Sequence, residues 1–253
     1  MFSAIVLGGG CKGGLIDGQG DRVVSEPFIR VGRRYMIEYV VEALRDSEYI
    51  REIIIAGPVE ELEKIYKGVP EISLAAGGDT AIRSFLNAFG LVRGDPDKIL
   101  IVTGDIPLLT KQAVNDFIES CLRQEGDLFY PIVKKETNES RYPGAQRTYV
   151  TLKEGAFTGG NVLMVNSRVI QKCIPVAERL VYLRKKPLRL ASFLGWDLLM
   201  RYLLGILSVH DAEKRVSDLL GVRGYGIISP YPEIGIDVDK KSDLTLVTKA
   251  LSM

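Results

Sequence analysis

Histidine and cysteine are scarce in this 253-residue chain, with one histidine and three cysteines. The single imidazole, His210, excludes an HExxH zinc site and any multi-histidine metal centre. Cys11, Cys121 and Cys173 lie far apart and form no CxxC. Neither a zinc ribbon nor a disulfide framework is expected, and a reducing cytosol suits the chain. Neither sign of charge is in surplus: 33 Lys and Arg stand against 32 Asp and Glu, for a net +1. The basic excess that marks nucleic-acid binders is missing, so no nucleic-acid partner is expected. The N-terminal MFSAIVLGGG is apolar but lacks a basic region and a cleavage site, and it reads as a first strand rather than a signal peptide.

Hydrophobic runs long enough for a membrane span are also missing. The window that invites the test, Phe193 to Val209, is 17 residues long and carries Asp197 and Arg201 about one helical turn apart. It is expected to be a buried or amphipathic helix with an internal ion pair. The basic run Arg184, Lys185, Lys186 and Arg189 before it leaves a second reading, a helix resting on a membrane surface. The remaining composition, 46% hydrophobic and 26% charged, is that of a globular chain and argues against disorder.

Apolar runs alternate with helical spacing. Strands are expected at 2–7, 52–56, 72–75, 98–102 and 128–133, and helices at 34–47, 80–92 and 111–123. The continuous Ile/Val/Leu character of EIIIA and KILIV suits strands buried on both faces of a parallel sheet. Alternation of this kind predicts a three-layer, Rossmann-like α/β fold with right-handed crossovers. After about Lys134 the pattern breaks. Residues 134–146 read as a loop, 148–152 and 162–165 as strands separated by a turn through Gly155, Gly159 and Gly160. Residues 166–222 read as almost wholly helical. A strand pair at 225–229 and 234–238 precedes a last helix from about Ser242. With no repeat and no linker, 166–222 is expected to be an insertion within a single domain spanning 1–253.

Gly8, Gly10 and Gly13 formally satisfy GxGxxG, but the context fails. A dinucleotide fold needs a helix to begin at that loop, and the next residues lack helical periodicity. No Gly-Lys-Ser/Thr follows, so the Walker pattern fails too. What remains is a glycine-rich loop carrying Lys12 and Arg22 at the end of a buried strand. Glycines let backbone amides approach phosphate oxygens, and a cation offsets phosphate charge. A phosphate-binding loop is favoured over a plain surface loop.

LGGG, GRRYMIEYVVEAL and IIIAGP together resemble the start of the nucleotidyltransferases with a glycosyltransferase-A-like fold. That superfamily includes sugar-1-phosphate nucleotidyltransferases, polyol-phosphate cytidylyltransferases and molybdenum-cofactor nucleotidyltransferases. The resemblance covers most of the chain apart from roughly 170–222, and it implies a mixed, mostly parallel sheet. By this resemblance Leu7, Gly8, Gly9 and Gly10 cradle phosphates, and Gly77, Gly78, Asp79 and Thr80 contact the nucleotide base and open a helix. In KILIVTGDIPLLT, Gly104-Asp105 ends a buried strand, where Asp105 is the expected metal ligand and Thr110 the better-placed helix cap. In IGIDVDKKSDL, Asp239 and then Asp237 are expected to supply the second metal carboxylate, both on one side of a strand. Gly159, Gly160 and Asn161 resemble part of the acceptor pocket. The chain departs from the family at Glu26, which stands where many relatives have a lysine for the α-phosphate. Lys12, Arg22 or Arg30 would then supply the positive charge.

The resemblance implies a cytoplasmic, Mg²⁺-dependent enzyme that moves a nucleoside monophosphate from an NTP to a phosphorylated small-molecule acceptor, releasing pyrophosphate. Two alternatives stay open: a glycosyltransferase of the same fold using a sugar nucleotide, and a nucleotide-binding protein that has lost catalysis. A homodimer is expected, with the apolar helix around Trp196, Leu199 and Leu203 contributing to the interface.

Overall fold

The computed structural model of the chain describes residues 1–9, 25–183 and 186–252. The first apolar run forms β1 (Phe2–Leu7). A short hairpin, β2 (Arg30–Val31) and β3 (Arg34–Tyr35), leads into α1 (Met36–Arg45), whose start is fixed where Glu38 accepts from the Tyr35 N–H at 2.7 Å. Then come β4 (Ile50–Gly57), α2 (Val59–Tyr66), β5 (Ile72–Ala76), α3 (Ala81–Phe89), β6 (Lys98–Thr103), α4 (Lys111–Leu122) and β7 (Leu128–Lys134). The second half holds α5 (Lys135–Arg141), β8 (Val150–Leu152), β9 (Gly155–Gly159) and β10 (Val162–Asn166). It ends with α6 (Ile170–Leu183), α7 (Pro187–Leu194), α8 (Trp196–Leu203), α9 (Val209–Leu220), β11 (Gly224–Ile228) and α10 (Lys241–Leu251).

The main sheet runs β5-β4-β1-β6-β10-β7-β9-β8, and β11, off this path, also pairs with β7. Strands β5, β4, β1 and β6 are parallel, with Ile5 set between Ile54 and Ile101. Strand β10 runs antiparallel to both β6 and β7, and β11 runs parallel to β7. The sheet is thus mixed and mostly parallel, as expected. Alternating side chains feed two layers. Val6, Ile55, Leu100 and Val102 pack under α1, α2 and α4, while Ile5, Ile54 and Ile99 pack under α3. Successive strands step from β1 out to β4 and β5, and the chain then crosses back to β6 on the other side of β1. That reversal opens a crevice at the carboxyl ends of β1 and β6, where open α/β sheets bind ligands.

The structure corrects five expectations. Residues 134–146 contain a helix, α5, which escaped notice because KETNESR has no apolar stripe; its one buried residue, Asn138, donates to the Tyr149 hydroxyl at 2.7 Å. The stretch read as a turn through Gly155 is strand β9, paired with both β7 and β8. Helix α2 was not anticipated at all. Residues 234–238 are not a strand: Pro232–Gly235 is a 3₁₀ turn, and the chain continues without ladder pairing. The apolar window at 193–209 is not one helix, because Gly195, at φ +110, separates α7 from α8. Nor is it buried there: no residue of α8 is buried, and Arg201 pairs with Asp211 at 3.1 Å instead of serving an internal pair. Among the described residues, no helix is long and apolar enough to cross a membrane.

Candidate active site

Four strand ends build the floor of the crevice from glycine backbone. The Gly8 N–H donates to the Ala56 carbonyl at 2.7 Å, Gly77 to Gly57 at 2.9 Å, and Gly104 to Leu7 at 3.0 Å. A Cβ on Gly77 would stand 3.1 Å from the Gly9 carbonyl oxygen, and one on Gly9 would fall 1.8 Å from the Ser25 hydroxyl oxygen. Gly9 also sits at φ +86, so no L side chain suits it. Close backbone approach of this kind leaves a floor of backbone, rather than side chains, to face a ligand. Leu7, Gly8 and Gly9 thus lie at the end of β1, on the floor of the crevice. Gly10, Lys12 and Arg22 lie outside the described residues.

Gly78 and Thr80 open α3. The Thr80 hydroxyl accepts from the Arg83 N–H at 3.1 Å, and the Gly78 N–H donates to the Ser84 hydroxyl at 2.9 Å. A Cβ on Gly78 would come within 2.4 Å of the Arg83 Cβ, so this glycine is fixed by packing. Asp79 and Thr80 are exposed beside it. Thr110, not Asp105, caps α4, accepting from the Ala113 N–H at 3.2 Å. Asp105 is thereby left for other work.

Asp105, Asp237 and Asp239 converge, with carboxylate oxygens within 4.8 Å of one another. The aspartates at 237 and 239 reach this point without a strand. The 3₁₀ turn before them packs on Gly159 and Gly160, where a Cβ on Gly235 would meet the Gly159 carbonyl oxygen at 3.1 Å. The Asn161 N–H donates to Ile234 O at 2.8 Å, and the Val238 N–H to Asp105 O at 3.1 Å. Gly160 and Asn161 thus meet the carboxylate-bearing segment through their backbones. Gly160 allows no side chain, because a Cβ would meet Pro131 at 2.7 Å.

Burial, above all, pushes Asp105 up to about 6. Asp237 and Glu26 push the same way, while the Thr103 hydroxyl, donating to Asp105 at 2.5 Å, opposes them. Glu26 lies within electrostatic reach of the same carboxylates. Its carboxyl is raised by burial first, then by Asp239 and Asp237. The acid that departs from the family pattern therefore adds negative charge near the group, whose close-set oxygens are those of the three aspartates. An all-oxygen set holding several negative charges in close reach fits a hard divalent cation such as Mg²⁺, which takes few carboxylates and keeps places for phosphate oxygens.

Sequence reasoning missed Arg147. It forms an ion pair with the Asp237 carboxylate and donates to the carbonyls of Gly235 at 2.6 Å and Asp237 at 3.3 Å. With 11% side-chain exposure it is a well-buried guanidinium, and its planar fork ties down the segment that carries Asp237 and Asp239. A lone arginine in GAQRTYV carries no signal that would have singled it out. Arg30, the described alternative source of charge for phosphates, stacks over the Tyr35 ring at 4.5 Å.

The family model for the MobA-like NTP transferase domain matches residues 5–193. A hypothetical transferase structure from Thermus thermophilus is 38% identical, with a TM-score of 0.82, over 96% of this chain and 99% of that one. The structure of CMP:2-keto-3-deoxy-manno-octonic acid synthetase complexed with CTP shares the fold, at 12% identity and a TM-score of 0.63, covering 100% of this chain and 99% of the other. A 2-C-methyl-D-erythritol 4-phosphate cytidylyltransferase from Clostridium tetani (strain Massachusetts / E88) is 24% identical over 111 residues. That match covers 40% of this chain and 45% of the relative, less than half of its length.

Proposed function

The chain belongs to the MobA-like NTP transferase family, and from that premise we propose that it is a cytoplasmic, Mg²⁺-dependent nucleotidyltransferase. In the proposed reaction a phosphate oxygen of a small-molecule acceptor attacks the α-phosphorus of an NTP. A new P–O bond forms, the α–β bridge breaks, and pyrophosphate leaves with the electron pair. The observation that carries this reading is the meeting of two glycine floors, Gly8–Gly9 and Gly77–Gly78, with Asp105, Asp237 and Asp239 at one crevice.

The backbone amide of Gly9, just past the Gly8 N–H that Ala56 already takes, is assigned to the phosphates, with Gly10, Lys12 and Arg22 continuing that loop toward the outer ones. Gly77, Gly78, Asp79 and Thr80 offer the base a surface made mostly of backbone. Asp105 and Asp239 hold Mg²⁺, with Asp237 oriented by Arg147 and Glu26 adding charge. Bound Mg²⁺ would neutralise the charge that builds between the α-phosphate and the acceptor. Gly160 and Asn161 lie on the acceptor side. Chemistry of this kind rests on positioning and charge neutralisation, so it asks for no histidine base.

Residues 166–222 are read as an insertion in the one domain. The similar synthetase complexed with CTP and the similar cytidylyltransferase make CTP the first nucleotide to try. The test is release from each of the four NTPs, with Mg²⁺ and a set of phosphorylated acceptors. Pyrophosphate is the expected product. Release of a nucleoside diphosphate from a sugar nucleotide would make the chain a glycosyltransferase instead, and thermal stabilisation by an NTP without any release would make it a binder.

A further inference from the structure

Beside the crevice, between the sheet and helices α6 and α9, lies a cavity of about 490 Å³. Its walls are Ile101, Leu163, Ile132, Ile174, Ala177 and Val216 among others, and the side chains on it with polar atoms are those of Tyr130, Tyr225, Glu213 and Cys173. Glu213 is already engaged, accepting from the Gly226 N–H at 2.8 Å. Water needs two to four polar partners to settle in a cavity, and this lining does not supply them. An apolar cavity about a third of this size is enough to hold a benzene ring. The volume falls within the range of small-molecule pockets.

The cavity is not detached from the candidate site. Leu7, which lines it, directly precedes Gly8, and Ala81, also on its wall, directly follows Thr80. The hydroxyl of Tyr130 lies where a Cβ on Gly159 would stand, at 2.3 Å. One end of an apolar space therefore lies beside the phosphate and acceptor residues.

We propose that this cavity takes the hydrocarbon part of the acceptor, so that the substrate is an amphiphilic phosphomonoester whose phosphate reaches the carboxylate group while its chain lies under α6 and α9. The assignment rests on the nucleotidyltransferase reading for the phosphate end, and on the cavity alone for the chain. Burial of each methylene should tighten binding about fourfold.

The test uses the full chain and a series of butyl, hexyl and octyl phosphate, titrated calorimetrically below their micelle concentrations, with inorganic phosphate as the reference. Affinity is expected to rise roughly two-hundredfold from butyl to octyl. Ala177→Trp, which fills the cavity from α6, should erase that rise while leaving inorganic phosphate binding unchanged; Ala212→Phe does the same from α9 if the first variant fails to melt cooperatively. Affinity independent of chain length would overturn the proposal, as would a full chain-length rise in a folded variant. These titrations need no NTP. Failure of the nucleotidyltransferase reading shows separately, as no pyrophosphate with any acceptor. With turnover established, octyl phosphate should show a lower KM than butyl phosphate, and equal KM values would remove the chain from the acceptor side.

Discussion

Neighbouring residues on single strands of the sheet meet two different kinds of packing. Leu100, Val102, Phe129 and Met164, which face α1 and α4, are fully buried. Their strand neighbours Ile101, Leu128, Ile132 and Leu163, which face α6 and α9, are only partly covered. The first face has the close packing of an ordinary protein interior. The second is closely packed under α3, where Ile5, Ile54 and Ile99 are buried, and in a small cluster of Cys173, Leu220 and Val222 at the far ends of α6 and α9. The split matches a division of labour. The parts assigned to nucleotide and metal stand on the dense side and on α3, where they are held to fixed positions. The part assigned to the acceptor is roofed by helices with few buried residues, where a different substrate can be accommodated by changing side chains without disturbing the sheet.

The largest effect belongs to the carboxylates. Asp105→Asn should lower Mg²⁺-dependent turnover by three or more orders of magnitude, roughly 4 kcal/mol. The same change should stabilise the metal-free protein. A carboxyl raised from its usual range to about 6 favours folding while protonated, so its contribution is full at pH below about 4 and is lost as pH rises through 6. At pH 7 the amide removes that penalty, and the melting temperature should rise by roughly 3–6 °C. A variant less stable than the parent at pH 7 without metal would make Asp105 a structural residue.

Density itself is tested next. Phe117 is fully buried in α4, and Phe117→Ala should cost about 3–4 kcal/mol in denaturant unfolding. Ile174→Ala, on the cavity wall of α6, should cost about 1 kcal/mol or less, because the void it would leave is already there. Equal costs would erase the difference between the two faces.

What was legible in the sequence follows the same division. The dense half could be read because buried parallel strands print continuous Ile/Val/Leu runs and their helices print apolar stripes, as in FSAIVL, KILIVT and α1. Gly8, Gly77, Gly104 and Asp105 could be placed because each ends such a strand. The segment carrying Asp237 and Asp239 meets Asp105, but not as the strand that its sequence suggests. IGIDV alternates like a strand, but it is held by Asp105 and Arg147 instead of by a ladder. Arg147 and the cavity were not legible at all. A guanidinium's partners lie 90 residues away in the chain, and a void between a sheet and two helices leaves no mark on periodicity.

Arg147 allows a smaller test on the dense side. Arg147→Lys keeps the charge and loses the fork that holds Gly235 O, Asp237 O and the Asp237 carboxylate. Mg²⁺ affinity, measured by metal titration, should fall about tenfold, the usual cost of freeing a metal ligand from the group that orients it. Unchanged affinity would mean that Asp237 needs no such support.

The smallest expected effect on stability lies in α8. Trp196, Met200, Leu203 and Leu204 are 53–67% exposed, so the monomer gains little from them. Met200→Glu with Leu203→Glu should therefore shift unfolding by no more than about 0.5 kcal/mol, as surface changes do. If the expected homodimer uses this helix, the same pair of changes converts a dimer into a monomer by light scattering, since two buried carboxylates at an apolar contact would be costly. A parent that is monomeric at micromolar concentration ends the dimer expectation and leaves the exposed face to the membrane-surface reading. Salt-sensitive sedimentation with anionic liposomes then tests that reading, because charge attraction to lipid headgroups is screened within about 10 Å at 0.1 M salt.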